Sequence, residues 1–84
     1  MADFELTERE WVVLKKIVNG KSNREIARDL YISISTTKAH VGSILQKLGV
    51  SNRVEAAVKG FSLLFTKILY KNNENFINGE NLNE

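Results

Sequence analysis

Apolar side chains recur at helical spacing in four segments of the chain, and each segment begins at a residue that favours a helix start. In the first segment, the positions that share this spacing are Trp11, Leu14, Ile17 and Val18. Ahead of them, Thr7 and Glu10 have the spacing of a capping box, in which each side chain bonds the backbone amide of the other residue. The pattern predicts a helix that begins at Glu8 and ends at Asn19 and Gly20, because glycine tolerates the left-handed conformation that follows many helices.

The next two segments lie close together. The same pattern of cap and glutamate returns at Ser22, so a second, short helix is expected to start directly after the first and to end near Leu30. Ser33 is the next candidate N-cap, and it leads into a third helix that Gly49 closes. The stripe expected to face inward on this third helix consists of Thr37, Val41, Ile44, Leu45 and Leu48. The sequence therefore predicts two helices joined by a turn at residues 31–33.

The fourth segment starts at Asn52, which again stands three residues before a glutamate, and its apolar spacing continues to about Tyr70. A bend is expected at Gly60, because glycine inside a helix costs roughly 1 kcal/mol relative to alanine. From residue 72 onward, six of thirteen residues are asparagine, which is typical of a disordered tail. The predicted organisation is one domain over residues 1–71 and a disordered Asn-rich tail over 72–84.

The apolar positions that follow Gly60 are open to three interpretations. These positions are Phe61, Leu64, Phe65, Ile68 and Leu69. They can extend the core, form a dimer contact or partner surface, or lie on a membrane. The membrane interpretation is the weakest, because only Lys67 and Lys71 provide basic flanks.

Composition excludes several kinds of chemistry. The 84 residues include no cysteine and one histidine, so neither a disulfide framework nor a cluster of metal-ligating residues is expected, and His40 alone is a poor basis for catalysis. We expect no enzyme, no cofactor, no metal and no small-molecule ligand. No apolar run approaches the roughly 20 residues that span a bilayer, so we expect no membrane contact and a cytoplasmic, nucleoid-associated location.

The net charge of +2 is small, but it is unevenly distributed along the chain. Residues 1–30 carry equal numbers of acidic and basic side chains, and residues 61–84 sum to −1. Residues 31–60 sum to +3, with Lys38, Lys47, Arg53 and Lys59 against Glu55. If a polyanion binds this protein, the middle segment is where it is expected to bind.

The second and third helices have the layout of a DNA-binding helix-turn-helix, in which a short turn joins a supporting helix to a recognition helix. Small and polar side chains are expected on the outward face of the third helix. They are Ser35, Thr36, Lys38, Ala39, Gly42, Ser43, Gln46 and Lys47. Small side chains allow a helix to enter a major groove about 12 Å wide, and Lys38 and the hydroxyls can donate to bases and phosphates.

The sequence also resembles the LuxR/GerE-type helix-turn-helix family between residues 6 and 59. The positions that carry the resemblance are 6–10, 13–14, 20–27, Ser33, Thr36, Lys38, His40, 47–50 and 53–56. This resemblance implies an all-α transcription-factor domain of four helices, here with an extended fourth helix and a disordered C-terminal tail. It also implies that the third helix, about residues 33–48, reads the major groove and that the fourth helix forms a dimer contact.

These lines together predict a transcriptional regulator that binds specific double-stranded DNA sequences as a homodimer, with RNA polymerase as a further candidate partner. The residues expected to contact DNA are Thr36, Lys38, Ala39, Gly42 and Ser43 in the groove, Ser35 on the same outward stripe, and Asn23, Arg24 and Lys47 at phosphates. The residues expected at the dimer interface are Val58, Phe61 and Phe65. The leading alternative is an interaction module that pairs with a related regulator and modulates its DNA binding.

Several positions depart from the family pattern. Val12 and Ile34 stand where glutamate is usual, and Gly42 stands where many relatives have a side chain that reaches DNA. Thr37 replaces the usual valine at a position expected to be buried, where its hydroxyl can bond the Ser33 carbonyl. The start of the first helix is also similar to that of sigma-factor region 4, which has a helix-turn-helix as well. The Lys47-Leu48-Gly49 ending of the third helix is typical of the LuxR type and not of sigma factors.

Overall fold

The computed structural model describes residues 5–75, and this part of the chain is all-helical, as predicted. The helices are α1 (Glu8–Val18), α2 (Asn23–Leu30), α3 (Ile34–Leu48) and α4 (Arg53–Asn75). α1 packs against both α3 and α4, and α2 packs against α3. α3 also packs against α4, so the recognition helix of the predicted helix-turn-helix is supported by the other three helices.

The predicted caps fix where the first three helices begin. Thr7 and Glu10 form the expected capping box, with the Glu10 amide 3.1 Å from the Thr7 hydroxyl and the Thr7 amide 2.9 Å from the Glu10 carboxylate. Ser22 forms the same box with the third residue of α2. Ser33 accepts a hydrogen bond from the Thr36 amide at 2.9 Å. Each box satisfies amides that the first turn of a helix leaves unpaired.

The first three helices end with one shared geometry. The residue after the last turn is left-handed in each, at Gly20 (φ 82°), Tyr31 (φ 59°) and Gly49 (φ 70°). The amide of the following residue then bonds back into the helix, as Val50 does to the Leu45 carbonyl at 3.0 Å. This is the Schellman closure predicted at Gly49. Tyr31 adopts the same conformation without the freedom that glycine has.

The fourth helix is longer than the sequence predicted. Asn52 accepts from the Glu55 amide at 2.9 Å, and the helix then continues without interruption to Asn75. It ends five residues beyond its expected end near Tyr70 and includes residues 72–75, because each residue added to an existing helix gains a backbone hydrogen bond even when it is a weak helix former. The rest of the predicted tail, residues 76–84, lies outside the described residues.

The core is formed by apolar side chains from α1 to α4 together with Leu6, which lies two residues before α1. Its buried members are Leu6, Val13, Leu14, Ile17, Ile26, Ala27, Val41, Ile44, Leu48 and Ala56. Leu6 and Trp11 both pack on this cluster, which fits the hydrophobic staple across the start of α1. Burial of these side chains is the main favourable contribution to folding, because nothing in the chain can form a disulfide.

Gly60 lies in close contact with α1. A Cβ atom there would lie 2.6 Å from Cδ1 of Leu14 and 3.0 Å from Cγ2 of Val18. Such distances are too short for two carbon atoms, so a larger residue fits only if the Leu14 and Val18 side chains or one of the helices shift. The glycine weakens the helix locally but permits the contact that fastens α4 to the core.

Candidate nucleic-acid interface

One face of α3 is exposed along most of its length. Its exposed members are Ser35, Thr36, Lys38, Ala39, Gly42 and Gln46. The opposite side of the helix is fixed in the core through Thr37, Val41 and Ile44. The structure therefore brings five of the predicted DNA-contact residues together on one accessible surface, which we call the α3 outer face: Ser35, Thr36, Lys38, Ala39 and Gly42.

Hydrogen bonds at its first turn hold the N-terminal end of α3 rigid. The Ser33 hydroxyl donates to the Thr36 hydroxyl oxygen at 2.9 Å while it accepts from the Thr36 amide. The fully buried Thr37 donates to the Ser33 carbonyl at 3.0 Å, as the sequence suggested. Because Thr36 accepts from Ser33, its own hydroxyl proton is left to donate outward from the α3 outer face.

Ser43 and Lys47, at the C-terminal end of α3, are engaged within the protein. The Ser43 hydroxyl donates to Glu10 Oε2 at 2.7 Å, and Lys47 Nζ donates to Glu10 Oε1 at 2.8 Å. Lys47 also reaches the backbone carbonyl of Glu5 at 3.3 Å. The polar groups of these two predicted DNA contacts are thus bonded to α1 and to Glu5, unlike those of the α3 outer face.

Glu10 is the centre of this cluster and is 5% exposed. Burial alone raises the pKa of a carboxyl group. At Glu10, hydrogen bonds from Lys47, Ser43 and the Thr7 amide outweigh burial and lower the pKa to about 2. The carboxylate therefore stays charged at neutral pH and ties the end of α3 to the start of α1.

The predicted phosphate contacts at the start of α2 have different environments. Arg24 is exposed, whereas the Asn23 side chain is half-buried and accepts from Arg53 Nη1 at 2.7 Å. The second guanidinium nitrogen of Arg53 donates to the Lys21 carbonyl at 2.6 Å. Arg53 thereby joins the start of α4 to the start of α2, and Arg24 is left as the accessible cation there.

Lysine side chains also connect α1 with α2 and the end of α3 with α4. Lys16 of α1 lies 3.2 Å from Asp29 of α2, and Lys21 lies 3.5 Å from the same carboxylate. Hydrogen bonding to Lys16 lowers the pKa of Asp29 despite some desolvation. Lys59 of α4 donates to the Leu48 carbonyl at 2.8 Å, at the end of α3. Such contacts orient α3 without using residues of its outer face.

The predicted dimer residues lie on α4 and do not belong to the core. Val58, Phe61 and Phe65 are 68%, 63% and 55% exposed. The rings of Phe61 and Phe65 stack with centroids 6.4 Å apart and an angle of 9° between their planes. The interpretation of the stripe after Gly60 as additional core is wrong for most of its members, since only Leu64 is half-buried.

Other types of site are not supported by the described part of the chain. Over residues 5–75, no group of histidine and acidic side chains is arranged to hold a metal ion. In the same range, no helix is long and apolar enough to cross a bilayer.

The sequence indicates only part of what Glu10 and Arg53 do in the structure. Glu10 was recognised as a helix cap, but its bonds to Ser43 and Lys47 join residues 33 and 37 positions away. In the sequence, Arg53 belongs to the basic middle segment and to the family resemblance, but its bond to Asn23 spans 30 positions. Periodicity and capping patterns report local structure, so neither long-range contact was accessible to them.

Comparison with known proteins adds independent evidence. Residues 5–59 match the family described as bacterial regulatory proteins, luxR family. The chain is 53% identical over 55 residues to the uncharacterized transcriptional regulatory protein YhcZ of Bacillus subtilis (strain 168), which covers 66% of this chain and 26% of that protein. It is 44% identical over 64 residues to a glycerol metabolism activator of Pseudomonas putida, with 76% and 29% covered.

A solved structure agrees with these sequence matches. The response regulator ChrA of a heme-sensing two-component system superimposes with a TM-score of 0.68 at 36% identity, over 75% of this chain and 31% of that one. The chain spans less than a third of the length of each of these relatives. The family and the relatives are described as regulatory proteins and not as enzymes. The matched residues include α1, α2, α3 and the first part of α4, and the chain belongs to the luxR family of bacterial regulatory proteins.

Proposed function

We propose that this protein is a transcriptional regulator that binds specific double-stranded DNA sequences with α3 in the major groove. The observation that carries the proposal is the α3 outer face, which is exposed and built mainly from small side chains. A helix with such a face can approach base edges closely in a groove about 12 Å wide. Lys38 then supplies a cation at the groove, and Ser35 and Thr36 supply hydroxyl donors.

The contacts inside the protein divide the candidate DNA residues into two groups. Lys38 and Arg24 are exposed cations and are the main candidates for contact with guanine or phosphate. Lys47 and Ser43 are already bonded to Glu10, so we assign them first to the placement of α3 and only second to DNA. Asn23, bonded to Arg53, orients the start of α2.

A homodimer is part of the proposal, because one domain of this size offers few phosphate contacts. Two copies would place two recognition helices about 34 Å apart, one helical turn of DNA. The exposed residues Val58, Phe61 and Phe65 are the proposed contact. Activity of this kind places the protein on the nucleoid in the bacterial cytoplasm, with RNA polymerase as the neighbouring partner.

Selection from a random pool of DNA duplexes tests the proposal. The protein is incubated with the pool at two salt concentrations, and the bound duplexes are sequenced. We expect an enriched motif with two similar half-sites and weaker retention at the higher salt, because cation contacts to phosphates release counterions. Absence of enrichment at both concentrations would contradict DNA recognition and favour the interaction module that binds a related regulator.

Replacement of Lys38 by alanine then tests the assigned face. A side chain that contacts a base contributes roughly 1 to 3 kcal/mol, so affinity for the selected duplex is expected to fall about 5- to 150-fold. Arg9→Ala is the matched control, because Arg9 is also an exposed cation but lies on α1, outside both the α3 outer face and the proposed dimer contact. Equal losses in the two variants would contradict the assignment of the groove face.

A further inference from the structure

A groove runs along the second half of α4, on the side that faces the end of α1. Its volume is about 420 Å³. Five apolar side chains form most of its wall, and three of them are more than half exposed. The wall consists of Val18, Phe61, Leu64, Phe65 and Ile68. The groove therefore offers apolar surface that the core of the domain does not cover.

The polar side chains around the groove are mostly cationic. Lys15, Lys67 and Lys71 line it together with Asn19, and none of its lining residues in the described part of the chain is acidic. Lys67 Nζ lies 4.9 Å from the centroid of the Trp11 ring, whereas Lys15 and Lys71 are exposed. An apolar wall between two exposed ammonium groups is complementary to an apolar side chain with a carboxylate on either side of it.

The chain itself contains a segment with this pattern, shortly after α4. In residues 80–84, Glu80, Leu82 and Glu84 alternate with two asparagines. Alternate side chains of an extended chain point to the same side, so an extended conformation would place the two carboxylates on either side of the leucine. Residues 76–84 include no lysine or arginine that would oppose the charge of the groove.

The connection from α4 is long enough for this segment to return along the helix. Asn78 and Gly79 directly precede it, and this dipeptide favours a tight reversal of the chain. The seven residues from Asn75 to Leu82 can span up to about 23 Å. The seven helical residues from Asn75 back to Ile68 span only about 10 Å. Leu82 can therefore reach the wall of the groove without any change in α4.

We propose that residues 80–84 bind in this groove of the same molecule as an extended segment, with Leu82 against Phe65 and Ile68. Glu80, which is nearer to α4 in the chain, then lies beside Lys71, and Glu84 lies beside Lys15. The attachment to α4 favours this occupant over a separate molecule, because a short linker gives an effective concentration in the millimolar range.

The bound segment would compete with the proposed dimer. Phe61 and Phe65 belong both to the wall of the groove and to the proposed dimer contact. A segment that covers these rings makes them less accessible to a second copy, so it would weaken self-association. This effect rests on the proposed function, whereas binding of the segment to the groove does not.

Engineered disulfides test the contact in the 84-residue chain, which has no cysteine of its own. A variant with Ile68→Cys and Leu82→Cys is equilibrated in a glutathione buffer at low protein concentration, and its internal disulfide is quantified by mass spectrometry. The control carries Thr66→Cys and Leu82→Cys, because Thr66 is exposed on α4 but does not line the groove. The two linkers are nearly equal in length, so unspecific encounters are nearly equal as well.

We expect the internal disulfide to be about tenfold more stable with position 68 than with position 66, because only binding in the groove raises the effective concentration selectively. Helical circular dichroism of the reduced variants confirms that both fold. Equal disulfide stability at the two positions would overturn the proposal. A disulfide between two chains in place of the internal one would assign the groove to a second copy and would overturn it as well.

Charge reversal in the same cysteine variant tests the two ion pairs. Glu80→Lys with Glu84→Lys is expected to lower the stability of the 68–82 disulfide about three- to tenfold at low salt. Further replacement of Lys15 and Lys71 by glutamate is expected to restore it, because the opposite charges then face each other again. A loss without restoration, or no loss at all, would overturn the proposed placement of the segment. Because neither experiment contains DNA or needs a dimer, failure here is distinct from failure to select a DNA sequence.

Discussion

The buried and exposed sides of α3 carry the same residue types in different roles. Thr37 is fully buried and donates to the Ser33 carbonyl, whereas Thr36, at the preceding position, is exposed. Lys47 is paired with Glu10 at 2.8 Å, whereas Lys38 is exposed. A lysine or threonine on a recognition helix is therefore not a DNA contact by its type alone. What separates the two roles is whether the side chain is packed or paired inside the protein, as Thr37 and Lys47 are, or faces solvent.

Glycines and left-handed residues show the same contrast elsewhere. Gly60 is buried between helices, but a Cβ atom at Gly42 would meet no atom within 4 Å. Gly49 and Tyr31 share a positive φ, yet only one of them is glycine. Each pair gives a variant and its matched control within one small domain.

The largest expected effect on stability comes from protonation of Glu10, which bonds Ser43 and Lys47 of α3. Its pKa is about 2 in the folded protein against an ordinary value of 4.5. Because the folded pKa is the lower one, the stabilisation is fully present above about pH 4.5 and is lost as the pH falls towards 2. We expect acid to remove roughly 2 to 3 kcal/mol of unfolding free energy through this group, measured by urea unfolding between these pH values.

Glu10→Gln provides the control for this titration. The variant keeps the shape of the side chain but has no carboxylate to protonate, so it should be less stable at neutral pH and lose less stability in acid. Glu25 and Asp29, whose pKa values are also lowered by their hydrogen bonds, titrate in both proteins. Parallel pH profiles for wild type and variant would show that Glu10 does not hold α3 in place.

Local signals predicted most of the fold, and long-range polar contacts account for what they missed. The caps at Thr7, Ser22 and Ser33 defined the starts of three helices, because a cap depends only on residues three positions apart. The bonds of Glu10 to Ser43 and Lys47 depend on how α1 and α3 pack, which no periodicity contains. The residues of the α3 outer face were predictable from their outward spacing. That Ser43 and Lys47 bond Glu10 could be seen only in the structure.

α4 shows the same limit for an apolar pattern. Its sequence predicted a helix correctly, but Phe61 and Phe65 could equally have belonged to the core or to a surface. The answer depends on which side of α4 faces α1, and Gly60 lies on that side, because a Cβ atom there would collide with Leu14. Glycine inside the helix looked like a weakness in the sequence, and in the structure it is the packing contact.

The two glycines therefore predict opposite effects of one substitution. Gly60→Ala inserts a methyl group against the fully buried Leu14 and is expected to destabilise the protein by about 2 kcal/mol. Gly42→Ala meets open space on the α3 outer face and is expected to stabilise it by roughly 0.5 to 1 kcal/mol through helix propensity. Thermal and urea unfolding of both variants measure the difference. Stabilisation by both would mean that α1 and α4 can separate at no cost.

The smallest effect is expected at the turn before α3, where Tyr31 and Gly49 share a left-handed backbone. A residue with a Cβ atom is strained there by roughly 1 to 2 kcal/mol, and the Tyr31 side chain, 94% exposed, has little burial to lose. Replacement of Tyr31 by glycine relieves this strain, but part of the gain in stability is cancelled because glycine has more conformational freedom in the unfolded chain. We expect Tyr31→Gly to raise unfolding free energy by about 0.5 to 1 kcal/mol.

Gly49→Ala makes the reverse change at the end of α3. It adds a Cβ atom to a backbone with φ of 70°, where the surrounding space is open, so any loss of stability reports conformational strain and not a steric clash. We expect a loss of about 1 kcal/mol, measured in the same urea series as Tyr31→Gly. A loss at both positions would mean that the Tyr31 side chain stabilises the turn through contacts that outweigh its strain, and α3 would then depend on this exposed ring as well as on Glu10.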